Sequence, residues 1–405
     1  MQCTNPECGC LCRRCTDCGS LLDIHWPLPE HLCPTCLMPV DPTAGIDFAT
    51  PGGDMGRGGG HWSGTFRPKL AATVTGVNIR SQIVGTHGLV CGVGPGVGPE
   101  GRLYCVSAEA QSSRWKKNVP VTPELFEPAL EYGPLLYAGE IWTPGVDVVT
   151  AHRLEDGEAV GIFPLDSPLA SGLFLGPGSG VYAVQERAEA CRIICFRPDP
   201  DASQTVSITE PNLPVPAVTP TGSLERIIYV TAGGELVALG EDQEAPLWRQ
   251  QLSVAPSFPV SIAGDRIIVT STEGYVGAHD LQTGELLWSF DNFDFGVAAA
   301  ATPAGSAVFV APEEGSLVEL SLEHGQVLAR SNQTGSIQGR PSIGTEQVIV
   351  GDRDARLSVL DRQRSLETVG GPNILSMAVR GTPVAAGQWI FATLENGSVS
   401  IFESE

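Results

Sequence analysis

A repeat of about 40 residues is the feature that most restricts the fold of this chain. Its clearest copy is DRIIVTSTEGYVGAHDLQTGELLWSF at 265–290, in which three runs of strand-forming residues are separated by Gly-containing turns. β-Branched side chains suit a pleated strand, and glycine permits the backbone angles of tight turns. A shift of 40 positions superimposes Trp248 on Trp288 and Gly234 on Gly274 without a gap. The segment is therefore predicted to be an antiparallel meander that recurs along the chain.

Further copies extend the repeat over most of the sequence. AHRLEDGE at 151–158 matches AHDLQTGE at 278–285 at five of eight positions. The Trp slot of the repeat is expected at positions 62, 115, 161, 206, 248, 288, 329 and 366. A period of about 40–43 residues with roughly four short strands is typical of a β-propeller, whose blades bury their faces only by stacking around an axis. The prediction is an all-β, eight-bladed β-propeller over 62–405, with seven blades as the alternative because the second and third blades are degenerate.

The last copy of the repeat lacks its final strand. The sequence WIFATLENGSVSIF at 389–402 stops before a Trp strand, and the segment HWSGTF at 61–66 is expected to supply it. Pairing the N- and C-terminal strands would satisfy both sheet edges and close the ring. The repeated Trp115, Trp248 and Trp288 are expected to pack between blades, because burying an indole removes roughly 150–250 Å² from water.

Eight of the twelve cysteines lie in the first 36 residues. The spacing Cys15-x2-Cys18-x14-Cys33-x2-Cys36 is that of a zinc ribbon, because each CxxC turn directs two sulfurs at one tetrahedral ion. Residues 1–40 are therefore predicted to form a small zinc-binding domain with two four-cysteine sites. The predicted ligands are Cys3, Cys8, Cys10, Cys12, Cys15, Cys18, Cys33 and Cys36. Four sulfurs leave no open coordination position, so the zinc is expected to be structural.

The division of these thiols between two ions is open. In sequential pairing the first four cysteines hold one ion and the last four hold the other. In a cross-braced arrangement the first and third pairs share one ion, and the second and fourth pairs share the other. Because Cys10 and Cys12 are only two positions apart, one of them is a candidate spare thiol, with His25 or His31 completing the site. A single zinc with spare thiols and a redox or disulfide role are further alternatives.

Composition restricts the partners and the compartment. Residues 41–61 are rich in Gly and Pro and are predicted to be a flexible linker. The net charge of −22 repels phosphates and lipid headgroups, so neither nucleic acid nor a membrane surface is an expected partner. The sequence has no apolar run of transmembrane length, and MQCTNPECGC lacks the features of an export signal. A cytoplasmic protein with reduced thiols is expected.

A strand followed by the motif Asp-x-x-Thr-Gly-x-x-x-Trp resembles the repeat of pyrroloquinoline-quinone-like propellers. The best match lies at 223–290. That superfamily includes quinone-dependent alcohol and glucose dehydrogenases and also cofactor-free binding proteins, such as the outer-membrane assembly lipoprotein. The dehydrogenases carry an adjacent Cys-Cys pair and a calcium site with an Asp base, whereas this sequence contains no Cys-Cys dipeptide. No quinone cofactor and no enzymatic activity are therefore expected. The remaining cysteines, expected to be buried thiols in apolar strands, are Cys91, Cys105, Cys191 and Cys195.

Four other polar residues are assigned structural roles. His152 and His279 occupy one equivalent position of the repeat, as expected for a duplicated core or turn residue. Asp280 and Asp361 precede tight turns, where a carboxylate accepts backbone N–H bonds. None of the four is expected to be catalytic.

These observations predict a non-catalytic scaffold or adaptor that mediates protein–protein interactions in a multi-protein bacterial assembly. Two functions of other classes are the alternatives. A quinone-dependent oxidoreductase of the quinoprotein type would take up quinone with calcium. A nucleic-acid-linked zinc protein would shift a nucleic-acid probe in a salt-dependent manner.

Overall fold

The structure is a computed structural model. It describes Arg13–Arg14, Leu21–Leu22 and residues 65–404, apart from 97–99, 127–131, 178–179, 188–189, 197–204, 224, 241–244, 292, 294–295 and 333–334. In these ranges eight antiparallel sheets of four or five strands follow one another. The prediction of an all-β, eight-bladed β-propeller is confirmed, and the seven-bladed alternative is wrong. Within the same ranges no helix has the length and apolar character needed to cross a membrane.

The strands run from the channel outward in each blade. Blade 1 contains β4 (Val84–Thr86), β5 (Leu89–Pro95), β6 (Glu100–Ser107) and β7 (Ser112–Pro120). Blade 2 contains β8 (Leu135–Tyr137), β9 (Glu140–Pro144), β10 (Val148–Arg153) and β11 (Ala159–Pro164). Blade 3 contains β12 (Phe174–Gly176), β13 (Gly180–Glu186), β14 (Cys191–Phe196) and β15 (Thr205–Leu213). Blade 4 contains β16 (Thr221–Gly222), β17 (Arg226–Val230), β18 (Glu235–Gly240) and β19 (Trp248–Gln251).

The second half of the ring repeats this order. Blade 5 contains β20 (Ser261–Ala263), β21 (Arg266–Thr270), β22 (Val276–Asp280) and β23 (Leu286–Phe290). Blade 6 contains β24 (Thr302–Ala304), β25 (Ala307–Val310), β26 (Val318–Ser321) and β27 (Val327–Arg330). Blade 7 contains β28 (Ser342–Ile343), β29 (Gln347–Gly351), β30 (Arg356–Asp361), β31 (Glu367–Thr368) and β32 (Asn373–Ile374). Blade 8 contains β33 (Val384–Ala386), β34 (Trp389–Thr393), β35 (Val399–Ser404) and β3 (Pro68–Val74). Among the fully described segments, short 3-10 helices cover Pro123–Phe126 and Arg362–Arg364.

The hydrophobic core lies between neighbouring blades. Ile268 and Ala278 of blade 5 share one buried cluster with Val308 and Leu320 of blade 6. The middle strands are buried on both faces, whereas the outermost strands alternate between exposed and half-buried residues, as in β23. This pattern explains why the β-branched runs mark the middle strands, since a strand packed on both sides has no polar face.

The ring closes through β3, which pairs with β35 from Pro68↔Ser404 to Val74↔Val399. This strand begins after the 61–66 segment named from the sequence, of which 61–64 lie outside the described residues. Ala72 stands opposite Ile401 just past a bulge, as Trp288 stands opposite Ala278. Register therefore gives the closing Trp slot to Ala72 and not to position 62.

The slot expected at 366 also differs from the repeat. Leu366 is fully buried, has a left-handed φ of 61°, and precedes the short β31. Its side chain packs in the cluster between blades 6 and 7 that contains Phe309 and Leu360. The position keeps an interblade core role without lying in an outermost strand.

Candidate functional site

Each repeated tryptophan packs against a glycine turn of the next blade. A Cβ added at Gly325 would stand 2.4 Å from Trp288 Cε3, and the Trp288 Nε1–H donates to the Leu322 carbonyl at 2.9 Å. The two equivalent contacts join Trp115 to Gly157 and Leu154, and Trp248 to Gly284 and Leu281. The predicted structural role of these indoles is confirmed.

The two histidines hold the same glycine turns from inside the blade. His279 Nδ1 lies 2.9 Å from the Gly284 carbonyl, and His152 Nδ1 lies 3.1 Å from the Gly157 carbonyl. Because a carbonyl accepts, the Nδ1–H of each ring is the donor. Burial lowers the pKa of both His279 and His152 below the ordinary range. Both imidazoles are thus neutral turn supports, as predicted.

The two aspartates shape tight turns. Asp280 Oδ1 accepts the backbone N–H groups of Gln282 and Thr283, each at 2.8 Å. Asp361 Oδ1 accepts the backbone N–H of Gln363 at 2.8 Å. The prediction that these carboxylates serve turns is confirmed.

A buried arginine ties three blades together at the central channel. Arg340, which is 2 % exposed, comes from blade 7. Its guanidinium donates to Ser261 Oγ at 2.7 Å, to the Ala301 carbonyl at 3.3 Å and to the Pro259 carbonyl at 3.2 Å. The sequence analysis did not select this residue. The signal was present, because the repeat register places Arg340 where the neighbouring blades have Pro259 and Ala300.

A cavity of about 540 Å³ opens beside Arg340. Its charged lining residues are Arg340, Arg353, Arg380, Glu313, Glu314 and Glu395. Arg380 donates to the Phe126 carbonyl at 2.7 Å and to the Arg80 carbonyl at 3.0 Å. Positive and negative groups are thus balanced, and Arg340 and Arg380 cross-link blades. Among the described residues no three His, Cys, Asp or Glu side chains are grouped so that they could hold a metal ion.

Exposed apolar side chains recur at the start of the outermost strands of blades 4, 5 and 6. We call this set the apolar rim, and it consists of Leu247, Leu286, Leu287, Val327 and Leu328. Leu247, Leu287 and Leu328 occupy one repeat position and are 39 %, 44 % and 56 % exposed. The sequence analysis missed this surface. The available signal was a pair of adjacent apolar residues at the start of an outermost strand, as in Leu286-Leu287 and Val327-Leu328. Successive side chains of a strand point to opposite faces, so one residue of each pair must face solvent.

The predicted zinc ligands, Cys3 to Cys36, all lie outside the described residues. The structure does describe a pair of strands around one of the expected knuckles. Arg13–Arg14 pairs antiparallel with Leu21–Leu22, and Cys15 and Cys18 lie between these two strands in the sequence. The linker at 41–61 also lies outside the described ranges.

The four cysteines of the propeller are buried and have free thiols. Cys91 and Cys105 belong to the middle strands of blade 1, and Cys191 and Cys195 belong to β14 of blade 3. Their predicted placement in apolar strands is confirmed.

Solved structures share this architecture. A computationally designed protein, Ika8, has a TM-score of 0.62 at 11 % identity and covers 83 % of this chain and 99 % of its own. BamB from Moraxella catarrhalis has a TM-score of 0.51 at 14 % identity, with the same coverages of 83 % and 99 %. A europium-containing methanol dehydrogenase has a TM-score of 0.63 at 8 % identity and covers 87 % of this chain and 90 % of its own. At these identities the likeness shows the fold alone.

Sequence comparison gives the family. Outer membrane protein assembly factor BamB of Pseudomonas aeruginosa is 24 % identical over 185 residues, which are 42 % of this chain and 46 % of that protein. The match thus spans less than half the length of this relative. The family model described as outer membrane protein assembly factor BamB matches residues 203–405, the half of the chain in which the repeat is most regular. The chain therefore belongs to this BamB-type family of PQQ-like repeat propellers.

Proposed function

We propose that the protein is a non-catalytic scaffold that binds partner proteins through the apolar rim, as part of a multi-protein bacterial assembly. The observation that carries the proposal is the repeated exposure of Leu247, Leu287 and Leu328 on three consecutive blades. Large apolar patches mark interaction sites in soluble proteins, and the proposal is that these repeated leucines together serve as one. The names of the family and of its Pseudomonas aeruginosa relative refer to protein assembly, which supports partners that are proteins.

The rim also offers backbone groups to a partner. β23 and β27 are the outermost strands of their blades, each hydrogen-bonded to one neighbour in the blade. An extended segment that carries apolar side chains can add along such an edge, because backbone bonds supply affinity and side-chain contacts supply selectivity. The channel is a weaker candidate, since Arg340 and Arg380 already donate to carbonyls of neighbouring blades.

The test is affinity purification of the tagged full chain beside a Leu287→Glu/Leu328→Glu variant. The matched control is Val160→Glu/Ile162→Glu, which alters exposed apolar residues on the outermost strand of blade 2. Circular dichroism should show that all three proteins are folded. We expect one set of partners to be lost from the rim variant only. Recovery of the same partners with the rim variant would refute the proposed surface.

We propose further that the N-terminal cysteines hold two structural zinc ions and that the protein works in the cytoplasm. The strand pairing of Arg13–Arg14 with Leu21–Leu22 supports a knuckle at Cys15 and Cys18. The purified full chain should contain two zinc ions, and Cys15→Ser/Cys18→Ser should lose at least one. Cys191→Ser is the control and should keep both ions. Cell fractionation tests the compartment.

The absence of catalysis is part of the same proposal. The likeness to a methanol dehydrogenase makes a quinone-dependent oxidoreductase the alternative to test. The full chain is incubated with pyrroloquinoline quinone and calcium, and the absorbance of the protein is recorded after gel filtration. A stoichiometric quinone chromophore would favour the oxidoreductase over the scaffold.

A further inference from the structure

Cys91 and Cys105 lie directly opposite each other on the two middle strands of blade 1. Both are fully buried. They share a core cluster with Leu136 and Ile141 of blade 2. We propose that these two thiols form a redox-active pair that closes to a cross-strand disulfide.

The ladder between β5 and β6 fixes the geometry of this pair. The two strands pair without a register shift, and beyond their paired residues the Gly96 N–H donates to the Glu100 carbonyl at 3.0 Å. Hydrogen-bonded and non-hydrogen-bonded pairs alternate along an antiparallel ladder. Counting inward from Gly96 and Glu100 places Cys91 and Cys105 at a non-hydrogen-bonded pair. Such pairs have Cα atoms about 4.5 Å apart, inside the range of roughly 4.4–6.8 Å that a disulfide spans.

The oxidation balances with a low-molecular-mass disulfide as the oxidant. One cysteine thiolate attacks a sulfur of the small disulfide, forms a mixed disulfide and releases one small thiol. The second cysteine then attacks the protein sulfur of the mixed disulfide and releases the other small thiol. Two electrons pass from the protein sulfurs to the small disulfide, and the two thiol protons go to the two small thiols.

Burial decides when this exchange occurs. Neither thiol touches solvent, and burial first of all raises the pKa of Cys91 well above its ordinary value. A packed blade 1 therefore offers little thiolate, and the pair reacts while the blade is open or still folding. Once the blade has packed, it shields the product in the same way. The state of the pair thus records the redox conditions under which blade 1 folded.

Cys191 and Cys195 provide an internal control. They lie on one strand, where Cys191 pairs with Glu186 and Leu213 and not with the other thiol. Residues four apart on a strand are separated by about 13 Å, which is beyond disulfide range. Oxidation should therefore spare these two thiols.

The test uses the full chain, expressed in bacteria with a reducing cytoplasm and in bacteria with an oxidising cytoplasm. The protein is denatured in the presence of iodoacetamide, which alkylates free thiols. It is then digested with trypsin, which cleaves after Arg80, Arg102 and Arg114. Cys91 is then in peptide 81–102 and Cys105 is in peptide 103–114. Mass spectrometry should find these peptides joined, and lighter by two hydrogens than their sum, only in the oxidised preparation.

Two variants and two outcomes complete the test. Cys105→Ser should abolish the linked peptide and leave Cys91 alkylated, whereas Cys195→Ser should leave the link unchanged. In the oxidised preparation the thermal midpoint should be higher than in the reduced one, and Cys105→Ser should remove this difference. Separate alkylation of both peptides in the oxidised preparation would overturn the proposal. Links to the Cys191 or Cys195 peptides at equal frequency would overturn it as well.

Discussion

Replacement of Trp288 by alanine tests the contact that joins consecutive blades. A Trp side chain carries roughly 150–250 Å² of surface, and about half of it is covered here because the indole is half-buried. Losing about 100 Å² of contact costs about 2.5 kcal/mol as an upper bound. The hydrogen bond to the Leu322 carbonyl contributes about 1 kcal/mol more. We expect Trp288→Ala to lower the free energy of unfolding by about 3 kcal/mol.

Urea unfolding followed by far-ultraviolet circular dichroism is the assay, because removing an indole changes the fluorescence directly. Trp288→Phe retains most of the ring and loses the Nε1–H, so it should cost about 1 kcal/mol. The control Leu287→Ala removes an exposed side chain of the same strand and should stay within about 0.5 kcal/mol of the parent. Equal losses for Trp288→Phe and Trp288→Ala would refute the area argument.

Gly325 supplies the other half of this test. Gly325→Ala places a Cβ 2.4 Å from the Trp288 ring and forces a left-handed φ of 68° on alanine. The left-handed conformation alone costs about 1–2 kcal/mol. With Trp288→Ala the clash disappears and only the backbone cost remains, so the double variant should lose less than the sum of the single variants. Strict additivity would show that the two residues do not press on each other.

Three further perturbations have expected outcomes. Since burial lowers the pKa of His279, the unfolded state binds more protons than the folded state below about pH 6.5, and stability decreases there. His279→Leu, which copies Leu320 of blade 6, should reduce the difference between the thermal midpoints at pH 5 and pH 7. An unchanged difference would contradict the role of a buried, neutral His279. Arg340→Ala leaves the acceptors in blades 5 and 6 without their donor and should cost at least about 3 kcal/mol in urea unfolding. Arg340→Lys should recover only part of that loss because lysine lacks the planar fork, and full recovery would show that charge alone matters. Removing residues 1–74 deletes the partner of β35 and should cause aggregation in size-exclusion chromatography; removal of 1–60 is the control and should leave a monodisperse propeller.

The repetitive part of the fold was predictable because the same residue types recur at a constant spacing in the sequence. Trp248 and Trp288 in one register indicated the blades, and the eight expected copies along the chain indicated their number, with seven as the alternative. The closing strand was predicted too early in the sequence because Trp62 matched the repeated Trp position. In the structure Ala72 occupies that position, and alanine has no distinctive side chain. Register between paired strands follows from hairpin length, and a pattern of single residues does not contain it.

The surfaces and the channel were harder to predict for a different reason. Arg340 is a single exception in a repeated position, and its acceptors lie in blades 6 and 5, about 40 and 80 residues earlier, respectively. The opposition of Cys91 and Cys105 depends on the exact length of the turn between β5 and β6. The apolar rim becomes visible only when blades are placed side by side. Each feature is a relation between distant residues rather than a motif.

The pairing of β3 with β35 has a consequence for biosynthesis. Pro68 is among the first propeller residues to leave the ribosome, and its partner Ser404 is translated more than 300 residues later. The first-made strand of blade 8, β3, therefore stays unpaired while the other seven blades are synthesised. Throughout that interval the nascent chain exposes unpaired strand edges at both ends of the incomplete ring. A chaperone that prevents its aggregation has to bind both edges.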